Sequence, residues 1–437
     1  MCKILTDELI DIYEKEKSNS CLDVFSILVE SLAKLSMVKW LKCSESTYHI
    51  GKLNYIANSK KANEKITEEF FDNLITTCKI SNYNHDDSYI GTKFKSYMLN
   101  FCKQTGFFNY PISPNYPYDF IRSTTLFINK AREFDCTIRS NEISQALRNV
   151  WTMNLLQTVF SLKLEITPSV FSYSLLYPYT DNLLDKKSIS YEHKIKFCSS
   201  IKNRLMGKFV LSSSEHEAKV FNLIENIELE FPRCNNNALY KSLHSINLHQ
   251  AKSIDNQRNI YNQNNKQILL NTIKKGGTSV LSDGFLLKSN ISLQDIIFSF
   301  SFGVLLQLLD DFQDIKIDKT NSHKTIFSHP EQCTNLDKLA CKLINYIDEV
   351  LSILDYYNSP YISNIKKTIK ENCLLTIFFT VARNKKLFTK EFNNNLEKYY
   401  PFTTIYMKNF NKKISYKYKK VSKVSHANLI DILELLS

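Results

Sequence analysis

Aspartates carry the chemistry of this chain. Asp181-Asn-Leu-Leu-Asp185 and Asp310-Asp311-Phe-Gln-Asp314 each end an apolar run with helical spacing. Positions i and i+4 share one face of a helix, so Asp181 with Asp185, and Asp310 with Asp314 and Asp318, line up as rows of carboxylate oxygens. Several ionised carboxylates at the end of a buried helix are costly unless a hard cation neutralises them. Mg2+ takes oxygen ligands and completes its shell with water and substrate phosphate. Asp181, Asp185, Asp310, Asp311 and Asp314 are therefore the expected metal ligands, with a diphosphate as the expected group beyond the metal. An Asp-x-x-x-Asp by itself occurs on many solvated helices. The second cluster is sharper, because Ile296 to Leu309 carries no charge before the acids arrive.

Between the clusters lies Lys274-Lys275-Gly276-Gly277-Thr278-Ser279. Two adjacent glycines in a helix interior cost about 1 kcal/mol each against alanine, so this segment is expected to interrupt a helix. It would bring backbone toward a ligand and turn Lys274, Lys275 and Thr278 toward phosphate; a plain loop between two helices is the alternative. Gly303 is expected to permit close helix packing. Phe171, Tyr173, Tyr177, Tyr179, Phe298, Phe300 and Phe302 flank the clusters and suit either core packing or the stabilisation of a cation. His249 is read as a polar group facing a cavity or satisfied in the core.

Those residues need long helices to position them, and the composition provides for that. The 437 residues are 43% hydrophobic, enough for a large core and for more than one domain. Only 8 glycines and 9 prolines occur, far too few for a hairpin-rich β fold. No proline falls between Arg233 and His329. The fold class expected is all-α. The 11 cysteines are odd in number and form no Cys-x-x-Cys pair, which points away from a disulfide framework or zinc site and toward a reducing cytoplasm. Charges recur from Lys3 to Lys17 and oppose a secretory signal, and the apolar run Ile296 to Leu309 is too short to span a bilayer.

The formal charge of +12 is concentrated near the C-terminus, where seven lysines and no acid lie between Lys408 and Val424. A solvated segment is the simplest reading. Attraction to an anionic membrane surface comes next, and nucleic acid is ranked last for want of a recognisable motif. Amphipathic helices are expected at Leu22 to Leu41 and at 141–162, 168–185, 190–206, 214–230, 236–256, 258–275, 278–288, 292–317, 334–356, 361–382 and 386–398. Thr167-Pro168 reads as a helix start, and Pro178 as a kink ahead of Asp181. The proline- and aromatic-rich stretch 106–121 is the best internal boundary. The chain is thus divided into an N-terminal helical region (1–130), an α domain that carries both acidic clusters (131–400) and a basic tail (401–437).

With these motifs in place, residues 170–400 resemble the class I isoprenoid synthase superfamily, which includes trans-prenyltransferases, squalene and phytoene synthases and class I terpene cyclases. Gly303-x-x-x-Gln307-x-x-Asp310-Asp311-x-x-Asp314 looks like the prenyltransferase acidic motif. Asp318-Lys319 to Lys324-Thr325 is similar to the lysine-bearing loop that follows it. Asp181-x-x-x-Asp185 looks more like the first motif of bacterial class I terpene synthases and of the squalene synthase branch. The resemblance implies a helical bundle around a central cavity, with additional N-terminal helices. It also implies three Mg2+ ions, or Mn2+ in their place, and a prenyl diphosphate substrate. By the same resemblance Gln307, Lys324 and Arg383, with Lys274, Lys275, Thr278 and His249, are substrate-binding candidates.

The reaction is narrowed by departures from the family. The Arg-Arg pair that holds a second diphosphate in chain-elongating enzymes is replaced by Lys186-Lys187, the next arginine being Arg204. The reading adopted is a class I terpene synthase that ionises one linear prenyl diphosphate to a cyclic or linear terpene. Prenyl diphosphate condensation is the alternative, and an inactive helical relative that binds lipid or a partner is the rival of another class. A homodimer, and a cytoplasmic location peripheral to the inner face of a membrane through the basic tail, complete the expectations.

Overall fold

A computed structural model describes residues 9–14, 22–51, 55–84, 93, 96–97, 100–101, 104–105, 116–186, 188–258, 264–288, 290–321, 323–329 and 335–421. Every regular element among them is helical, and no strand occurs among the described residues. The chain divides into two compact units that interleave in sequence: residues 1–48 with 167–356, and residues 49–166 with 357–437. These boundaries differ from the 130 and 400 expected from the sequence. Of the expected boundary segment, 106–115 lies outside the described residues, and the helix Tyr116–Phe134 begins at its end.

The first unit contains α1 (Leu22–Lys42), α2 (Pro168–Asp185), α3 (Tyr191–Leu205), α4 (Glu215–Glu230), α5 (Asn237–Arg258), α6 (Asn265–Leu287), α7 (Leu293–Gln313), α8 (Ile315–Asn321) and α9 (Asp337–Leu351). α2 starts where Thr167 accepts a hydrogen bond from the Val170 amide, with Pro168 in the first turn, and it runs on through Pro178 to Asp185. α7 starts at a capping box in which Ser292 and Asp295 satisfy each other's backbone amides. α2 and α4 run antiparallel. Glu230 accepts from the Ser169 amide at one end (2.7 Å), and His216 Nε2 meets the Tyr179 carbonyl at the other (2.7 Å).

α6 is the hub of this unit, packing on α7, α5, α1 and α2. A helix covered on so many sides has to be small or apolar almost all round. Ile268, Leu269, Ile273, Val280, Leu281, Phe285 and Leu286 are all buried. The expected interruption at Gly276-Gly277 is absent, and α6 is one continuous helix from Asn265 to Leu287. Tertiary packing explains the glycines. A Cβ on Gly276 would lie 2.5 Å from the Gly303 carbonyl oxygen, and one on Gly303 would lie 2.2 Å from that of Gly276. The backbones of α6 and α7 touch there, as expected for Gly303. Phe300 fills the space beside Gly277. The local helix penalty of these glycines is offset by an approach that no side chain would allow.

α7 is the helix among the described residues that is long and apolar enough to cross a membrane, longer than the apolar run suggested, and 67% of its apolar window is buried inside the protein. Phe298 and Phe302 stack on it with ring centroids 5.6 Å apart, so both belong to the core.

The second unit holds helices Ala57–Asn84, Tyr116–Phe134, Ser140–Val159, Ile362–Arg383, Lys390–Glu397 and Thr404–Val421. Asn63 donates to the Pro401 carbonyl (3.0 Å), and Phe379 packs against Phe410 (5.2 Å) and Phe402 (6.3 Å). These contacts tie the helix Ala57–Asn84 to Pro401, and the helix Ile362–Arg383 to Phe402 and to Phe410 of the C-terminal helix. Trp151 and Asn154 donate to Thr124 (3.0 Å) and Ser123 (2.7 Å), joining the helices Ser140–Val159 and Tyr116–Phe134.

Candidate active site

Both acidic clusters belong to the first unit, and Lys275 lies in the field of each. Burial opposes its charge, but the carboxylates of Asp181, Asp311, Asp310 and Asp185 together outweigh burial and hold its pKa above the ordinary lysine value. Residues far apart in the chain are thereby brought to one ammonium on α6. α2 delivers Asp181 and Asp185, and α7 delivers Asp310 and Asp311. The glycine contact between α6 and α7 explains why Lys275 can come so near the second cluster.

The inner carboxylates are held by neutral donors. Gln250 Nε2 of α5 donates to Asp181 Oδ1 at 2.5 Å, and Tyr177 supplies a further side-chain hydrogen bond. Burial pushes the Asp181 carboxyl up to about 6; Lys275 opposes the shift and Asp185 adds to it. Asp311, which is buried, accepts from Gln307 Nε2 (2.8 Å) and from Thr272 Oγ1 (3.1 Å). Burial pushes it too up to about 6, with Asp310 reinforcing the shift against Gln307, Lys275 and Thr272. Asp318 on α8 is raised to about 7, first by burial and then by Asp311, Asp314 and Asp310. Its neighbour His323 returns a backbone amide to the Asp318 carbonyl at 2.8 Å. Asp185 and Asp310 are exposed. The arrangement has an inner, desolvated pair beside Lys275 and an outer, solvent-facing pair.

Helix position sharpens the electrostatics. Asp185 ends α2, Asp310 and Asp311 lie in the last turn of α7, and Asp314 caps it. Helix C-termini already carry about half a negative charge, so carboxylates placed there gain nothing from the dipole and repel one another. One ammonium among four carboxylates leaves an excess of negative charge that a cation would relieve.

The donor set fits Mg2+ in one respect: it consists of hard oxygen donors, each inner one oriented by an amide or hydroxyl. Among the described residues no group of three or more His, Cys, Asp or Glu side chains is arranged to hold an ion alone. Mg2+ usually takes only one or two carboxylates, with water and substrate phosphate completing its shell, so a pre-formed protein cage is not required. Asp181 and Asp185 on one side, and Asp310, Asp311 and Asp314 on the other, are the residues that would hold it.

The remaining expected site residues fall in several places. Gln307 acts on Asp311 as described. Lys274 turns to α1 and pairs with Glu30, which assigns it to holding two helices together. Thr278 is fully buried, and its hydroxyl donates back to the Lys274 carbonyl at 2.7 Å, so it serves its own helix. Lys324 is exposed in the loop after α8, where Thr325 and Ser328 close a buried turn. His249 lies on α5, with its side chain outside the described residues. The neighbouring residue Gln250 makes the contact to the acidic cluster. Arg383 belongs to the second unit, where it donates to Asn411 and stacks on Phe379 (5.1 Å).

Sequence reading missed Gln250 and Thr272. The signal available for Thr272 was its spacing: it precedes Lys275 by three residues and so shares its face of α6. Of the aromatics near the first cluster, Tyr173 donates to the Ser279 carbonyl (3.1 Å) and Tyr179 stacks on His216 (5.4 Å). A scan against protein-family models finds no match for this chain, and a search of curated proteins finds none.

Proposed function

We propose that the first unit is a class I terpene synthase-like enzyme that ionises one linear prenyl diphosphate, with loss of diphosphate, to a cyclic or linear terpene. The observation that carries this reading is Lys275, placed in the field of both Asp181/Asp185 and Asp310/Asp311. In an all-helical unit, two acidic helix ends that share one lysine form a polar end suited to a polyanion bridged by divalent ions. Bound Mg2+ would supply Lewis-acid stabilisation of the departing diphosphate. Lys275 would donate hydrogen bonds to the same anion as its charge develops. Gln250 orients Asp181, while Gln307 and Thr272 orient Asp311, so the carboxylates need no rearrangement when a cation arrives.

Condensation of two diphosphates is less well supported. The first arginine after the acidic motif, Arg204, is engaged with Glu228 at 2.7 Å, and Arg233 shares that carboxylate. It is thus committed within the protein instead of facing a second substrate.

The test is incubation of the purified chain with Mg2+ and prenyl diphosphates of ten to twenty-five carbons, with and without isopentenyl diphosphate. A hydrocarbon or alcohol from one substrate alone, abolished by Asp310→Ala, supports the proposal. Product only on adding the second substrate supports condensation. No Mg2+-dependent diphosphate release, with Asp310→Ala unchanged from the parent, supports a non-catalytic relative.

A further inference from the structure

The connection between α3 and α4 has no part in the chemistry above, yet it is built with care. Its near end is anchored. Gly207 adopts φ +78°, and an added Cβ would meet Arg233 Nε at 3.1 Å, so both conformation and space favour glycine. Arg204 and Arg233 share Glu228, Arg233 Nη2 donates to the Arg204 carbonyl at 2.7 Å, and the Arg233 guanidinium lies 4.5 Å from the Tyr240 ring centre. Its far end is anchored too, since the Ser213 amide and hydroxyl donate to Glu217 at 2.5 and 2.6 Å.

Between these anchors the chain presents large apolar side chains to solvent. Phe209 is 88% exposed and Leu211 78%, with Met206 at 50% on the approach. Leu229, next to the Glu228 that binds Arg204, is 77% exposed. Single exposed apolar residues are ordinary, but four gathered on one anchored connection and the helix end beside it are not. Phe209 touches so little of its own protein that it forms a projecting tip. A projecting aromatic tip with a lysine beside it suits the boundary of a lipid interface, where the ring enters the acyl region and the ammonium stays at headgroup level. Charge selects the interface: Lys196 and Lys208 are exposed and Lys202 is half-buried along the helix and connection, Lys208 standing between Met206 and Phe209, whereas Lys194 is buried and Arg204 is neutralised by Glu228.

We propose that the Met206–Leu211 connection docks the first unit on an anionic lipid bilayer, with Phe209 and Leu211 entering the acyl boundary and Lys208 lying among the headgroups. This does not depend on the reaction proposed above, nor on the basic C-terminal helix.

Vesicle flotation of the full chain tests it, with phosphatidylcholine alone and with phosphatidylcholine containing one quarter phosphatidylglycerol. The parent is expected to float with the anionic vesicles and to be released by salt. Phe209→Ser/Leu211→Ser should weaken flotation by about tenfold or more while its helical circular dichroism is unchanged, because both residues are exposed. Phe209→Trp should show a blue-shifted emission on anionic vesicles only. Failure of the parent to float overturns the proposal. So does undiminished flotation of the double variant, which would place the contact elsewhere. A parent dimer that the double variant turns into a monomer also overturns it, by showing that a second copy covers these residues.

Discussion

Gln250 on α5 holds Asp181 on α2 through a 2.5 Å hydrogen bond, although the two residues lie far apart in sequence. A hydrogen bond to a charged group contributes about 1.5 to 3 kcal/mol. Gln250→Leu is therefore expected to raise the Mg2+ concentration for half-maximal diphosphate release by about tenfold or more. A Mg2+ titration checks this, and an unchanged midpoint would remove Gln250 from the site.

Lys275 is the positive charge shared by the two clusters. Lys275→Met leaves buried carboxylates without their partner, a change that costs about 3 to 5 kcal/mol when a buried pair is broken. Urea denaturation in EDTA should show a loss of that order near pH 8 and a smaller one near pH 5.5, where protonation of Asp181 and Asp311 relieves the repulsion. Equal losses at both pH values would mean that the lysine does not neutralise these acids.

Asp181 and Asp311 titrate at about 6 and Asp318 at about 7, all above the ordinary value of 3.8. The folded chain thus binds these protons more tightly than the unfolded chain does. The resulting stability is complete below about pH 4 and is lost as pH rises through about 6 to 7. In EDTA the melting temperature should fall between about pH 5 and pH 7.5, and Asp311→Asn/Asp318→Asn should flatten the fall. Excess Mg2+ should restore the melting temperature at the upper end of that window, because it binds the ionised carboxylates. A rise in melting temperature with pH, unaltered by the double variant, would refute the assignment.

Asp311→Asn should separate stability from activity. The buried carboxylate becomes a neutral amide beside Asp310, so in EDTA near pH 8 the variant should melt at or above the parent's temperature. Mg2+-dependent diphosphate release should fall by about a hundredfold or more if Asp311 is a ligand. A variant that is both unstable and active would contradict both halves of the argument.

Gly303→Ala tests the backbone contact. Its methyl group would lie 2.2 Å from the Gly276 carbonyl oxygen, a distance that requires α6 and α7 to separate. Overpacking of this kind costs about 1 to 3 kcal/mol or more. Chemical denaturation should show that loss, and diphosphate release should drop further than the stability change alone explains, because Lys275 moves away from Asp310 and Asp311.

Much of this was legible in the residues because local rules governed it. Pro168–Asp185 matches the expected helix at both ends, since Thr167-Pro168 is a start signal that acts through its own neighbours. The two acidic clusters announced themselves by their spacing and by the uncharged run before Asp310. Where the reading failed, a distant partner decided the outcome. Gly276-Gly277 looked like a break because glycine weakens a helix taken alone, and the compensating partner, Gly303, lies on another helix. Gln250 carries no local mark of its contact with Asp181, because the rotation of α5 sets it. Lys274 and Lys275 were indistinguishable by type, yet about 100° of helix turn sends one to Glu30 and the other to the aspartates.

The Lys274–Glu30 pair has a practical consequence. α1 comes from the chain's first fifty residues and is fastened by that pair to the helix that bears Lys275. An expression fragment designed around the acidic motifs alone, such as residues 131–400, would discard this brace and strip apolar cover from α6. Such a fragment would be expected to aggregate, and its silence in an assay would say nothing about the intact polypeptide.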